Sequence, residues 1–162
     1  MRLRDLNSAD LSACWALNQA NAPAVGDVSL EQFERLVTFA NVALVATDDD
    51  GTLLGFCLVM PPGTSYESLN YRWFCERYVD FVYLDRVAVA QSAPRHGVGR
   101  ALYAEVERRA RLIPSATWFT LEVNVRPRND ASLLFHRGQG FVEVGQQDTK
   151  YGTRVAMMVK RL

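Results

Sequence analysis

The residue pattern predicts an α/β (α+β) domain built on a mixed, mostly antiparallel central sheet of about seven strands. Three observations carry this. Short apolar, β-branched runs recur along the chain and alternate with segments of helical period. An Asp50-Gly51 step between two such runs marks a hairpin. A strand, loop, helix and strand follow one another from Tyr83 to Val125, and that succession calls for one parallel pair.

Taken in order, Arg2 to Leu6 reads as a short strand, and Asn7-Ser8 caps a helix carrying Leu11, Cys14 and Trp15 on one side. Asn21 to Asp27, with Pro23 and Gly26, is a loop. Ser29 and Gln32 have capping-box spacing, and Leu30, Phe33, Val37 and Ala40 then mark a second amphipathic helix. Val42 to Ala46 and Leu53 to Met60 are the hairpin strands, stopped by Pro61-Pro62-Gly63. Residues 61 to 80 form a connection long enough to be functional or to hold its own short helix. It concentrates Tyr66, Tyr71, Trp73, Phe74 and Tyr78 beside Glu67, Arg72, Glu76 and Arg77, which suits either a small-molecule pocket wall or a satellite core.

The stretch from Tyr83 to Leu112 organises the rest. Val82, Leu84, Val87 and Val89 form a strand, Gln91 to Pro94 break it, and Val98, Leu102, Val106 and Ala110 continue at four-residue spacing. Glu105 with Arg109 and Glu107 with Arg111 pair on the opposite helix face, and Pro114 ends the helix. Gly97 and Gly99 fall at the joint of loop and first helical turn. There they either ease a tight turn or let main-chain N–H groups, backed by the helix dipole, seat an anion such as a pyrophosphate. Arg95, His96 and Arg100 would add donors around it. Thr117 to Val125 is the returning strand, Asn129 or Asp130 caps a short helix closed by Gly138 and Gly140, and Phe141 to Val144 with Val155 to Val159 form a last strand pair.

Arg95-His96-Gly97-Val98-Gly99-Arg100-Ala101-Leu102, set between strand and amphipathic helix, resembles the acyl-CoA-binding motif of the GNAT superfamily of CoA-dependent N-acyltransferases, Q/R-x-x-G-x-G/A. Pro94 stands at its first position and supplies neither an N–H nor a side-chain donor there. Downstream, Leu121-Glu122-Val123 and the run from Asn129 through Ser132, Phe135 and His136 to Gly140-Phe141 resemble a second family pattern, L-E-V followed by N-x-x-A-x-x-L-Y-x-x-x-G-F. Ser132 takes the Ala position, Phe135 the Leu position and His136 the Tyr position. The resemblance implies a single domain over residues 1–162 with helices on both sheet faces, and acetyl-CoA (coenzyme A) as co-substrate. It also implies contacts to that co-substrate from the backbone of Val87, Ala88 and Val89, from residues 95 to 100, and from Asn129, Ser132 and Phe135.

The reaction implied is acyl transfer to an amine by direct attack. Protonation of the acceptor sets what the protein must supply: an amine with pKa near 10.4 is neutral in roughly one molecule in 2,500 at pH 7, one near 8 in about a tenth. A general base, typically contributing about 10²–10⁴-fold, is therefore the residue to seek. Glu122 matches the glutamate that serves as base in some relatives, with Tyr83 and Asp85 as rivals on the neighbouring strand, where period-two alternation puts both on the face of Val87. His136 either meets the CoA sulfur in place of tyrosine or is a plain surface histidine. Tyr66, Tyr71, Arg72, Trp73 and Asn124 are candidate acceptor contacts, and Asn18, Asn21 and Asp27 either face the same site or are turn residues.

Composition limits the alternatives. With 162 residues, 49% hydrophobic and 22% charged, the chain suits one globular domain. Eighteen basic residues balance eighteen acidic ones, leaving no electrostatic footprint of a nucleic-acid or anionic-membrane binder. No apolar run approaches a membrane span and the first residues lack a signal peptide, so a cytoplasmic location is expected. Cys14, Cys57 and Cys75 show no paired spacing and only His96 and His136 are present, so neither disulfides nor a metal site is expected, and Cys57 reads as core. The partner is then a small-molecule or peptide amine, and nothing in the chain opposes a homodimer. Two other classes remain: a catalytically silent acyl-CoA-binding or regulatory module, and a nucleotide-binding fold, which lacks the G-K-S/T that should follow the glycines.

Overall fold

The computed structural model describes residues 1–93, 97–150 and 152–162. Seven strands form one sheet: β1 Arg2–Asp5, β2 Val42–Thr47, β3 Leu53–Met60, β4 Phe81–Val89, β5 Trp118–Arg126, β6 Val142–Asp148 and β7 Arg154–Arg161. Five α-helices accompany them: α1 Leu11–Ala20, α2 Leu30–Phe39, α3 Leu69–Cys75, α4 Val98–Ala110 and α5 Asp130–Gly138. The spatial order is β1-β2-β3-β4-β5-β7-β6, with β4 and β5 parallel and every other neighbouring pair antiparallel. The mixed sheet and the helices on both faces match the expectation from sequence.

Local chemistry accounts for the helices. Asn7 accepts from the Ala9 N–H and caps a single 3-10 turn before α1. Ser29 and Gln32 exchange the two bonds of a capping box at the start of α2, while Ser68 caps α3 and Asn129 caps α5. The stripe Val98, Leu102, Val106 and Ala110 buries α4 against one face of the sheet together with Leu133 of α5 and Phe141. Cys14, Phe33, Leu36, Tyr71 and Phe74 of α1, α2 and α3 form a second core on the other face. Burial pushes the thiol of Cys57 up to about 12, so that it serves as an inert core residue.

Two irregularities in the sheet position everything else. The β4–β5 ladder covers only Phe81 to Tyr83 against Trp118 to Thr120, although both strands run on past it. Beyond that point they diverge and leave a gap. On its other side β4 carries a bulge: Leu58 pairs with Arg86 and Val59 with Leu84, so Asp85 is the extra residue. The bulge corrects the expected alternation. Tyr83 packs in the α1–α3 core, whereas Val87 packs on the α4 side, so the two do not share a face.

The last strands also differ from the sequence reading. β6 extends through Gln146 and Gln147 to Asp148, and β7 starts at Arg154 and lies between β5 and β6. Polar residues are tolerated in β6 because it is an edge strand with one side open to solvent. Among the described residues, no helix is long and apolar enough to cross a membrane, and no group of three or more His, Cys, Asp or Glu side chains could hold a metal ion.

Candidate active site

The gap between β4 and β5 is chemically distinct on its two faces, a cavity on one and a buried polar cluster on the other. On the α4 side lies a cavity of about 240 Å³ lined by Val87, Val89, Gly99, Tyr103, Ser132, Phe135 and His136. Five of these seven, Val87, Val89, Gly99, Ser132 and Phe135, are sequence-expected co-substrate contacts. Gly97 holds the N-cap of α4 with φ +76°, a conformation that β-carbon-bearing residues adopt at a cost. At Gly99 an added β-carbon would meet only Val89 Cγ2 at 3.9 Å, so what glycine preserves there is the open space of the cavity. This face thus combines a helix N-terminus, a glycine-lined cavity and a strand edge released from its ladder, which fits an elongated phosphate-bearing ligand such as CoA.

Other expected contacts lie nearby with different local roles. Val98 and Ala88 are buried in opposite cores, leaving only their main chain to offer a ligand, and Arg100 is exposed on the first turn of α4. The Asn129 side chain accepts from the Ser132 N–H as the cap of α5. Arg95, His96 and Pro94 lie outside the described residues.

Of the two sequence alternatives for His136, burial to 6% exposure excludes the plain surface residue, and the ring lines this cavity. Its Nδ1 lies 2.7 Å from the Ser132 carbonyl, which can only accept, so Nδ1 carries the proton. Nε2 then accepts from the Tyr103 hydroxyl at 2.6 Å. Burial lowers the imidazole pKa and the Ser132 carbonyl only partly opposes this, keeping the ring neutral. Both nitrogens are thus engaged. Tyr103, four residues after Gly99 and so on the same helix face, is the cavity residue that sequence reasoning missed.

The polar cluster on the α3 side is built around Glu122. Oε2 of its carboxylate accepts from the Tyr83 hydroxyl at 2.8 Å, and Oε1 accepts from Asn70 Nδ2 at 2.9 Å. Burial pushes the carboxyl up to about 7; the Tyr83 hydrogen bond pulls it down, the nearby Asp85 charge pushes it up, and the Asn70 bond pulls it down. Tyr83 is fully buried, and burial, then the Glu122 and Asp85 charges, hold its hydroxyl well above the usual range. At neutral pH Tyr83 is thus a donor.

Asp85 shares this cluster but is heavily committed. Its carboxylate pairs with Arg86 at 3.1 Å and lies beside the Tyr66 side chain, which helps to stabilise its charge. Burial raises its pKa and Arg86 counters. Arg86 donates onward to Asn18 Oδ1 at 2.8 Å and to the Gly26 carbonyl at 2.6 Å, tying the bulge to the loop after α1. Asn18 is therefore a buried anchor. Asn21 donates to the Leu17 carbonyl and Asp27 accepts from Gln19, so both serve as local ties.

The aromatic connection divides between the two roles expected of it. Tyr66 reaches Asp85, whereas Tyr71 is 1% exposed and donates to the Pro61 carbonyl at 2.7 Å, as a brace of the core and not a pocket wall. Trp73 packs on Gly145 of β6, with the Arg77 guanidinium 4.2 Å from its ring centre. Arg72 is exposed, 3.9 Å from Glu67. Asn124 lies two residues beyond Glu122 and is partly buried. Asn70 and Gln147, which meet at 2.8 Å, had no signature in the sequence, because they join elements 77 residues apart.

The chain is similar to known proteins. The model of a family described as the Acetyltransferase (GNAT) family matches residues 6–141. No curated protein matches the chain. Among solved structures, a ribosomal-protein-alanine N-acetyltransferase from Brucella melitensis is 28% identical over 100% of both chains, with a TM-score of 0.75. Arabidopsis thaliana NAA60 in complex with acetyl-CoA is 19% identical over 99% of this chain and 98% of that one, with a TM-score of 0.78. Chaetomium thermophilum Naa20 bound to a bisubstrate analogue is 21% identical over 100% of this chain and 87% of that one, also at 0.78. The last two likenesses concern the fold alone.

Proposed function

The chain belongs to the GNAT acetyltransferase family, and on that premise we propose that it transfers the acetyl group of acetyl-CoA to a primary amine of a peptide or small molecule, with Glu122 as general base. The observation that carries this is the Glu122 carboxylate, raised to about 7 and held between Tyr83 and Asn70 beside the opening of the sheet. A base of that pKa is about half ionised at neutral pH and still basic enough to take a proton from the acceptor ammonium before attack, or from the amine as it attacks. Asp85 is a poorer candidate, since Arg86 pairs with its carboxylate and Tyr66 lies beside it.

Acetyl-CoA, when bound, supplies the activated acyl carbon. Val87, Val89, Gly99, Ser132 and Phe135 would hold it in the cavity, with Gly97 presenting the N-terminus of α4. Its thiol, with pKa near 8.5 by analogy to cysteine, leaves without an obligatory acid. The neutral His136 and the Tyr103 hydroxyl wall the cavity there, and their mutual hydrogen bond keeps two polar groups satisfied beside an apolar chain. The amine approaches from the α3 side, where Glu122, Tyr66 and Asn124 are its nearest polar contacts. The likeness to a ribosomal-protein-alanine N-acetyltransferase favours a peptide α-amine, about a tenth of which is neutral at pH 7.

The test is thiol release from acetyl-CoA in the presence of peptides with a free α-amine, diamines and free amino acids. Glu122→Gln should bind acetyl-CoA normally and turn over about 10²–10⁴-fold more slowly with the acceptor found. Unchanged turnover across pH 6 to 9 would remove Glu122 as base. Acetyl-CoA bound with no acceptor accelerating thiol release would favour a silent binding module.

A further inference from the structure

We propose that Asn70 and Gln147 form a two-amide relay whose direction keeps Glu122 in its proton-accepting form, making Asn70 and Gln147 positioning residues for proton removal. The relay rests on the reading of Glu122 as base, but its own content is electrostatic. Gln147 Nε2 donates to Asn70 Oδ1 at 2.8 Å, and Asn70 Nδ2 donates to Glu122 Oε1 at 2.9 Å. With its oxygen occupied by Gln147, the Asn70 amide can present only N–H to the carboxylate. Turned over with Gln147 in place, it would set Oδ1 against the ionised Glu122 and Nδ2 against another N–H group, losing both bonds; turned together with Gln147, it would still lose the bond to the carboxylate. Gln147 thereby fixes the polarity of a group it lies next to, and that polarity favours carboxylate over carboxylic acid.

The geometry that supports the relay is a matched pair of contacts between α3 and β6. Asn70 and Trp73 are three residues apart and so lie on one face of the helix, while Gly145 and Gln147 are two apart and lie on one face of the strand. Trp73 rests on Gly145 so closely that a β-carbon there would come within 2.9 Å of Cζ2. Asn70 meets Gln147 beside it. The ring contact seats the helix at one height above the sheet, and the amide contact uses that seat to aim a donor.

The other titratable and charged groups near Glu122 do not duplicate this role. From β4, the Tyr83 hydroxyl donates to the second oxygen, and Asp85 adds an opposing negative charge that Arg86 partly neutralises. Tyr66 precedes α3 and lies beside Asp85, and Tyr103 lies on the other face of the sheet, bonded to His136. On β7, the residue paired with Glu122 is Met157, which is apolar. The Glu122 main-chain N–H also stabilises the carboxylate, by less than Asn70 does, so Asn70 is the side-chain donor to Oε1.

The consequence is a shift in where Glu122 titrates. If loss of the donor raised it by one unit, the ionised fraction at pH 7 would fall from about half to about a tenth, a roughly fivefold loss of competent enzyme at neutral pH. The experiment is a ¹³C NMR titration of protein labelled at glutamate carboxyl carbons, with the Glu122 signal assigned by its absence from Glu122→Gln. Asn70→Leu should move the Glu122 midpoint up by about one unit and Gln147→Leu by less, since Asn70 stays but is free to turn. Gln147 sits on the edge strand, so its variant reports even where Asn70→Leu folds poorly. Midpoints within 0.2 units of wild type in either folded variant would overturn the relay, ~0.2 being small against the one-unit effect of a lost charged hydrogen bond. The titration stands apart from turnover. Shifted midpoints with an active Glu122→Gln enzyme would uphold the relay and reject the base, whereas unmoved midpoints with an inactive Glu122→Gln would do the reverse.

Discussion

The two faces of the β4–β5 gap are made by opposite means. The α4 side is assembled from two local groups, Gly97 at the helix cap with Gly99 in the cavity wall, and Ser132 and His136 one turn apart on α5, joined by the Tyr103–His136 bond. The α3 side is assembled from side chains brought together over long distances. Tyr83 reaches Glu122 across 39 residues, Asn70 reaches it across 52, and Gln147 reaches Asn70 across 77. Their buried titratable groups also respond oppositely to the same cause. Burial disfavours charge on both, lowering His136 and raising Glu122. The first face is a shape and the second is a charge balance.

That contrast can be tested by perturbing each side in its own currency. The largest effect should come from filling the shape. Gly99→Trp is expected to weaken acetyl-CoA at least about 100-fold, some 2.7 kcal/mol, while Gly99→Ala, whose β-carbon finds room, should change it little; calorimetric titration of both decides. Equal losses in the two variants would show that the glycine matters for backbone conformation and not for space.

Next comes the charge balance. Folding raises Glu122 from 4.5 to about 7, so it favours the protonated form, and this contribution is present below about 4.5 and lost as pH rises through 7. Glu122→Gln lacks that dependence. Relative to wild type it should gain about 3 kcal/mol in urea unfolding free energy between pH 4.5 and 8. Parallel stability curves for the two proteins would mean that the carboxylate is better solvated than its hydrogen bonds imply.

How far each face was legible follows from the same contrast. The order of strands and helices, the capping boxes, the amphipathic face of α4 and the glycines at its start could all be read, because each rests on residues within a turn or two of one another. Glu122 could be named only by resemblance, and its partners Asn70 and Gln147 not at all, since neither residue type nor local spacing distinguishes them from solvated amides. The Asp85 bulge escaped for a related reason: it is a property of pairing with β3, so alternation read along β4 alone placed Tyr83 and Val87 on the same face. Tyr71 looked like a pocket residue and is a core brace, because the helix that buries it is set by Ser68 and by contacts to Pro61 and Thr64. Composition could not separate the two.

Two smaller effects sharpen the comparison. Tyr103→Phe leaves Nε2 of His136 buried without a donor and should cost about 1–3 kcal/mol. The double variant with His136→Leu should cost less than the sum of the two single changes, which thermal unfolding of the four proteins would reveal. Strict additivity would mean that the two side chains do not act as a pair. Smallest is Gly97→Ala, expected to cost about 1 kcal/mol, because the new β-carbon meets nothing within 4 Å and the penalty is conformational only. A markedly larger loss would point to a steric role at the helix start.

The extra residue at Asp85 has an effect on inheritance of change along the strand. By shifting the pleat half a period, it lets Tyr83 and Arg86 serve one compartment while Val87 and Val89 serve the other. Deleting that one residue would restore regular pleating with Leu84 and Arg86 still opposite Val59 and Leu58, whereas a regular strand that kept it would send arginine toward the greasy compartment and valine toward the ionic one. Substitutions along β4 can thus adjust either compartment separately, and the bulge is where the strand can lose a residue without exchanging the two.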